Sequence, residues 1–228
     1  MRLARNIASI GLACSLALLL AGAAGAVPLS DLDDGSVPSF TSGSGLIEFG
    51  AFSASVSGAL DPDLSVYEIT ATANGFDLTS SIRMLVNDFE VGTLTIDYDV
   101  TILVGGLELQ QAHLSYATGT VEFGGALATV LEDLFDAPSG SPIAGDADLD
   151  VLTTGAAGTV RGSDTAVFVE RTTLHVVKSI VLSGGAIGNE AEITSISQSF
   201  TIVPEPGTAS LLVLGLLCLA ARRRSLDS

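Results

Sequence analysis

Thr93-Leu94-Thr95-Ile96-Asp97-Tyr98-Asp99-Val100-Thr101-Ile102-Leu103-Val104 alternates almost without a break. Leu94, Ile96, Tyr98, Val100, Ile102 and Val104 fall on one side of an extended chain, and Thr93, Thr95, Asp97, Asp99, Thr101 and Leu103 on the other. Side chains on a strand repeat every two residues, so this is a long strand with one dry and one wetter face. Gly105-Gly106 follows, and then a second extended run, Leu107 to Tyr116. A two-residue Gly-Gly link between two such runs predicts a tight hairpin, because a type I′ turn needs positive φ at both of its central residues.

Working outward, further strands are expected near Leu46–Val56, Ser65–Ala73, Gly119–Phe123, Asp148–Thr154, Ala166–Val177, Lys178–Leu182 and Ile193–Val203. In the last of these, Ile196, Gln198, Phe200 and Ile202 share a face. Two segments break the rhythm. Leu127, Val130, Leu131, Leu134 and Phe135 stand at i, i+3, i+4, i+7 and i+8 and stop at Pro138, which predicts a short amphipathic helix between sheets. Ile82, Leu85, Val86 and Phe89 also fit helical spacing behind Ser80 or Ser81, and the reading leans to helix. Asp136 to Asp146, with two prolines and two glycines, is the longest loop. Thr70-x-Thr72, Thr93-x-Thr95 and Thr118-x-Thr120 resemble threonine ladders but keep no fixed interval, so they read as ordinary strand threonines. The fold class is therefore all-β, a sandwich or jelly-roll-like pair of sheets with one or two short helices.

Composition bounds the function. The two cysteines, Cys14 and Cys218, lie in the terminal apolar segments, which leaves the 177 residues from Val27 to Val203 with neither disulfide nor thiol chemistry. That length suits one sizeable core. The same stretch holds Arg83, Arg161, Arg171 and Lys178 against twenty-four carboxylates, a net −20 in a chain of −17. Such a surface repels phosphate backbones, which excludes nucleic acid as a partner.

The termini carry the clearest signals. Arg2 and Arg5 precede an apolar run from Ile7 to Leu20 and an Ala24-Gly25-Ala26 site, the pattern of a secretory signal peptide (residues 1–26) cleaved before Val27. Gly11 stands where a lipobox before Cys14 would want leucine. At the other end, Val203-Pro204-Glu205-Pro206-Gly207 is followed by an apolar run from Thr208 to Ala221 and by Arg222-Arg223-Arg224. Prolines lack a donor and punctuate the preceding strand, the apolar run calls for a nonpolar host, and the arginines prefer the cytoplasmic side of a bilayer. Fourteen residues make a helix of ~21 Å, short of a hydrocarbon core of ~30 Å, a gap that flanking residues and snorkelling arginines narrow.

This order of breaker, apolar run and arginine stop resembles the PEP-CTERM sorting tail of bacterial surface proteins, also known as the ice-binding protein C-terminal domain. The resemblance covers residues 203–228 only. It implies a transmembrane sorting helix over 208–221, processing by exosortase, a membrane-embedded cysteine transpeptidase-like enzyme, and a host that makes extracellular polysaccharide. The chain then divides into a signal peptide, an exported β-rich domain over 27–202, and the sorting tail.

Chemistry inside the domain is sparse. His113 and His175 lie far apart in the sequence, and neither HExxH nor GxSxG occurs. Asp146-Ala147-Asp148-Leu149-Asp150 is the one acidic constellation with ligand-like spacing. Carboxylates there could hold calcium, although Val151 and Ala157 stand where an EF-hand needs glycine and glutamate. Sugar sites lean on aromatic platforms; the chain has no tryptophan, and Tyr98 and Tyr116 on the expected hairpin are the candidate patch. The expectation is a non-enzymatic cell-surface or matrix protein without an obligate cofactor. A polysaccharide- or calcium-binding module is the alternative, and a secreted hydrolase a third reading.

Overall fold

The computed structural model describes residues 25–121, 125–137, 140–143, 148–154 and 160–205, with Gly207 and Leu214 beyond them. The chain opens with β1 (Val27–Pro28) and the five-residue α1 (Leu29–Asp33), followed by β2 (Ser39–Thr41) and β3 (Ile47–Gly58). A 3-10 turn at Leu64–Val66 leads into β4 (Tyr67–Thr72), β5 (Gly75–Asn87), β6 (Val91–Ile102) and β7 (Leu107–Val121). Then come β8 (Leu127–Asp136), β9 (Ser141–Pro142), β10 (Asp148–Thr154), β11 (Val160–Arg161), β12 (Ser163–Arg171), β13 (Thr173–Ser183) and β14 (Glu190–Pro204). One sheet runs β1-β4-β5-β14-β7-β12 and the other β11-β10-β8-β13-β6-β3-β2, with β9 beside β8. The all-β, two-sheet reading holds.

The alternation that predicted β6 is its burial pattern. Leu94, Ile96, Tyr98 and Val100 are buried, and Thr93, Thr95, Asp97 and Asp99 are half-exposed on the outer face. Each fully buried aliphatic chain contributes about 1.5–3 kcal/mol by leaving water. At one end of the interior six rings meet. Phe40, Phe49, Phe52, Phe76, Tyr98 and Phe200 form stacked, tilted and edge-on pairs with centroids 5.0–6.3 Å apart, drawing on both sheets.

The expected hairpin at Gly105-Gly106 does not form. β6 pairs with β3 and β13, and β7 pairs with β14 and β12 in the other sheet. Residues 103–106 are an arch between sheets. Only Gly106 takes positive φ (80°), and a type I′ turn requires two such residues in succession.

The expected helix at Leu127–Phe135 is strand β8. Val130, Glu132 and Leu134 face inward, while Leu131 is 44% exposed. Helical spacing emerged because a charged residue, Glu132, occupies a core position and hides the period of two. The helical lean at Ile82–Phe89 fails likewise: β5 buries Met84 and Val86, and Ile82 and Phe89 are exposed. The run expected as one strand over Ala166–Val177 breaks at Thr172, since β12 and β13 belong to different sheets. Leu64–Val66 turns before β4 begins, and the described helices are α1 and that 3-10 turn.

Candidate functional site

The sorting motif begins inside the sheet. Val203 and Pro204 are the last residues of β14 and pair with Glu108 and Leu107 of β7. Pro204 is exposed, and the Glu205 N–H donates to the Gly106 carbonyl at 2.9 Å. No linker therefore separates the sandwich from the motif, and the 103–106 arch, with Leu103 and Val104 exposed, stands beside the exit. Pro206 and Arg222 to Arg224 lie outside the described residues. So does the apolar run 208–221 apart from Leu214. Among the described residues no helix is long and apolar enough to cross a membrane. At the opposite terminus Ala24 also lies outside, Ala26 is exposed, and Val27 pairs with Ile69 at the sheet edge.

The expected aromatic patch comes apart. Tyr98 is fully buried in one sheet and Tyr116 is half-buried in the other, so they make no surface patch. His113 binds Thr165 at 2.8 Å on the outer face of one sheet. His175 binds Asp99 at 2.8 Å on the outer face of the other. Asp146 lies outside the described residues, and Asp148 and Asp150 belong to β10 on either side of buried Leu149. Among the described residues no three His, Cys, Asp or Glu side chains gather as a metal site.

A shallow groove of about 320 Å³ opens on the outer face of the larger sheet, lined by Pro38, Ser39, Glu48, Gly50, Ala51, Asp99 and Thr101. Gly50 lies in register between Ser39 and Asp99, so its missing side chain leaves the trough. A bulge there puts Ala51 at φ 52°. The Ser39 hydroxyl donates to Glu48 at 2.7 Å, and His175 holds Asp99 from the far side.

A polar cluster in the core escaped the sequence reading. Lys178 of β13 and Glu132 of β8 are directly opposed, both side chains are wholly buried, and Lys178 Nζ donates to Glu132 Oε2. Nζ also donates to Gln198 Oε1 at 2.8 Å across the interior, from β14 of the facing sheet. Glu132 Oε1, Gln198 Nε2 and the Tyr98 hydroxyl have no hydrogen-bond partner among the described residues. Burial pushes the Lys178 amine below its ordinary range, and Glu132 partly offsets the shift. Burial and then Glu132 push the Tyr98 phenol well up. One signal could have found the pair. Glu132 and Lys178 each interrupt an otherwise apolar run, and opposite charges in such places seek each other.

Residues 203–224 match the PEP-CTERM protein-sorting motif, so the chain carries a PEP-CTERM sorting tail. No curated protein matches the chain. Among solved structures, TmCBM61 in complex with β-1,4-galactotriose is similar at 13% identity and a TM-score of 0.30, over 67% of this chain and 88% of that one. The low-affinity xylan-binding module CBM86 from Roseburia intestinalis aligns at 10% identity and a TM-score of 0.25, over 67% and 97%. The family 32 module of C. perfringens NanJ with galactose aligns at 11% identity and a TM-score of 0.22, over 76% and 98%. Likenesses at these scores assign neither a site nor a ligand.

Proposed function

We propose that this chain is an exported, non-catalytic surface protein, delivered by the signal peptide over residues 1–26 and held at the membrane through residues 208–221. An exosortase-like enzyme then acts on it at Val203–Pro206. The observation that carries the reading is the sorting-motif match at residues 203–224, continuous with the last strand of the sandwich. From Glu205 to Thr208 an extended chain reaches at most ~11 Å, which keeps the 103–106 arch close to the bilayer and makes the sandwich rim part of what the enzyme meets. Replacing Pro204, Glu205 and Pro206 with alanine should block processing and leave export intact, scored by the mass of the cell-surface form. Wild-type trimming of that variant would overturn the sorting role.

A second reading, polysaccharide binding, draws on the groove over Gly50. Its hydroxyls and carboxylates suit sugar hydroxyls, although no aromatic ring lines it. Gly50→Leu fills the trough and should abolish retention of the exported protein on the host's own polysaccharide. Retention unchanged by that substitution would remove the groove from consideration.

A further inference from the structure

The Lys178–Glu132–Gln198 cluster is hard to explain as a purely structural ion pair. Removing two charges from water costs several kcal/mol per ion unless the remaining polar atoms are satisfied. Here three of them, Glu132 Oε1, Gln198 Nε2 and the Tyr98 hydroxyl, have no partner among the described residues. The same arrangement is well suited to a bond-forming reaction. A primary amine lies 2.8 Å from a carboxamide oxygen. The carbonyl carbon is at most one C=O bond, ~1.23 Å, further away, so a small rotation gives the ~3–3.5 Å approach of a near-attack geometry. A buried carboxylate already holds the amine's proton-bearing side.

We propose that Lys178 and Gln198 condense into an intramolecular amide that joins the two sheets. The Lys178 ammonium gives a proton to Glu132 Oε2, which frees the Nζ lone pair. Nζ attacks Cδ of Gln198, and the carbonyl π electrons move to Oε1. Glu132, now protonated, gives that proton to Nε2 and then takes one from the attacking nitrogen. The Cδ–Nε2 bond then breaks, the carbonyl re-forms, and the nitrogen leaves as neutral ammonia. Glu132 ends as a neutral carboxylic acid, so the two charges of the ion pair cancel and none stays uncompensated in the core. One C–N bond forms and one breaks, with no oxidant, reductant or other co-reactant.

The core supplies what such a step needs. Water is excluded, so the neutral amine is favoured over the ammonium and the amide is shielded from hydrolysis. The amine and the amide come from β13 and β14, which lie in opposite sheets, so rigid strands hold the reacting atoms in place. The domain has no cysteine, and this bond would do for the two sheets what a disulfide does elsewhere.

The test is the mass of the full chain purified from its exporting host. The proposal expects a mass lower than the sequence mass of the same processed form by one ammonia. It also expects trypsin to cleave after Arg171 but not after Lys178, leaving the Lys178 and Gln198 segments in one fragment. Glu132→Gln should restore the unshifted mass, and so should wild-type chain kept in denaturant from synthesis onward. An unshifted wild-type mass with free cleavage at Lys178 would overturn the proposal and leave an ion pair only. Loss of one water, with Lys178 joined to Glu132, would overturn the assignment of Gln198.

Discussion

Arg83 and Lys178 each face glutamate across a strand boundary, and the two settings teach opposite lessons. Arg83 sits on the outer face of the smaller sheet with its side chain 57% exposed. Its guanidinium donates two bonds to Glu192, at 2.6 and 2.8 Å, and lies 3.5 Å from Glu190. The hydrogen bonds and charge of Glu192, then those of Glu190, raise its pKa further above its already high range. Water reaches the guanidinium and weakens the pair, although Glu192 itself is only 9% exposed. Lys178 and Glu132 are wholly shielded from solvent, and Glu132 Oε1 has no partner among the described residues. There each partner makes the other tolerable, and neither charge is cheap alone. The chain thus spends scarce cations in two ways, one trimming repulsion on an acidic surface, the other fixing three strands across the core.

The largest effect should come from breaking the inner pair on one side. Lys178→Met leaves Glu132 buried and uncompensated and should cost about 3–5 kcal/mol, measured by urea denaturation. Adding Glu132→Leu removes the orphaned charge, and most of the loss should return. The comparison is made on wild-type chain whose intact mass shows Lys178 unreacted, where the ion pair is present. A double variant no more stable than Lys178→Met would show that charge burial is not the governing term.

Tyr98→Phe should act in the opposite direction. Its hydroxyl is buried without a partner among the described residues, and removing such a group typically recovers about 1 kcal/mol. A fall in melting temperature would mean the hydroxyl is satisfied in solution.

Tyr67 sharpens the contrast through pH. Its hydroxyl donates to the Asp61 carbonyl at 3.0 Å, and burial, then the Asp61 charge, push its pKa from 10.0 up to about 12. The folded state holds this proton more tightly than the unfolded chain. Its contribution is therefore complete below about pH 10 and is lost as pH rises through about 12. Tyr67→Phe should cost about 1 kcal/mol at neutral pH and flatten the alkaline limb of the stability profile, with Tyr98 supplying the slope that remains. An alkaline limb identical to wild type would assign the titration elsewhere.

The smallest effect is expected at the surface. Arg83→Gln should shift the melting temperature only slightly, and that shift should vanish in high salt. Salt should meanwhile stabilise the wild-type domain, whose four cations face twenty-four carboxylates. A change at Arg83 as large as that at Lys178 would erase the distinction between the two pairs.

What the sequence determined by itself was whatever is written locally. The period of two in Thr93–Val100 set the strand and its buried face, because alternation is a property of one extended chain, whereas Val104, expected on the same face, lies past the strand end and is exposed. The sorting tail was legible because its parts follow one another in order, and any reader of that segment meets them in the same order. Tertiary structure alone decided which strands are neighbours. Gly105-Gly106 marks a reversal in either case, and only the pairing of β6 with β3 and β13 makes it an arch between sheets. β8 looked helical because its inward glutamate is explained only by a lysine 46 positions later. The two interrupted apolar runs hint at the charges, but their pairing was not legible, for the same reason. Glu132, Lys178 and Gln198 lie on three strands in two sheets, and no local pattern reports which distant side chain will satisfy a charge removed from water.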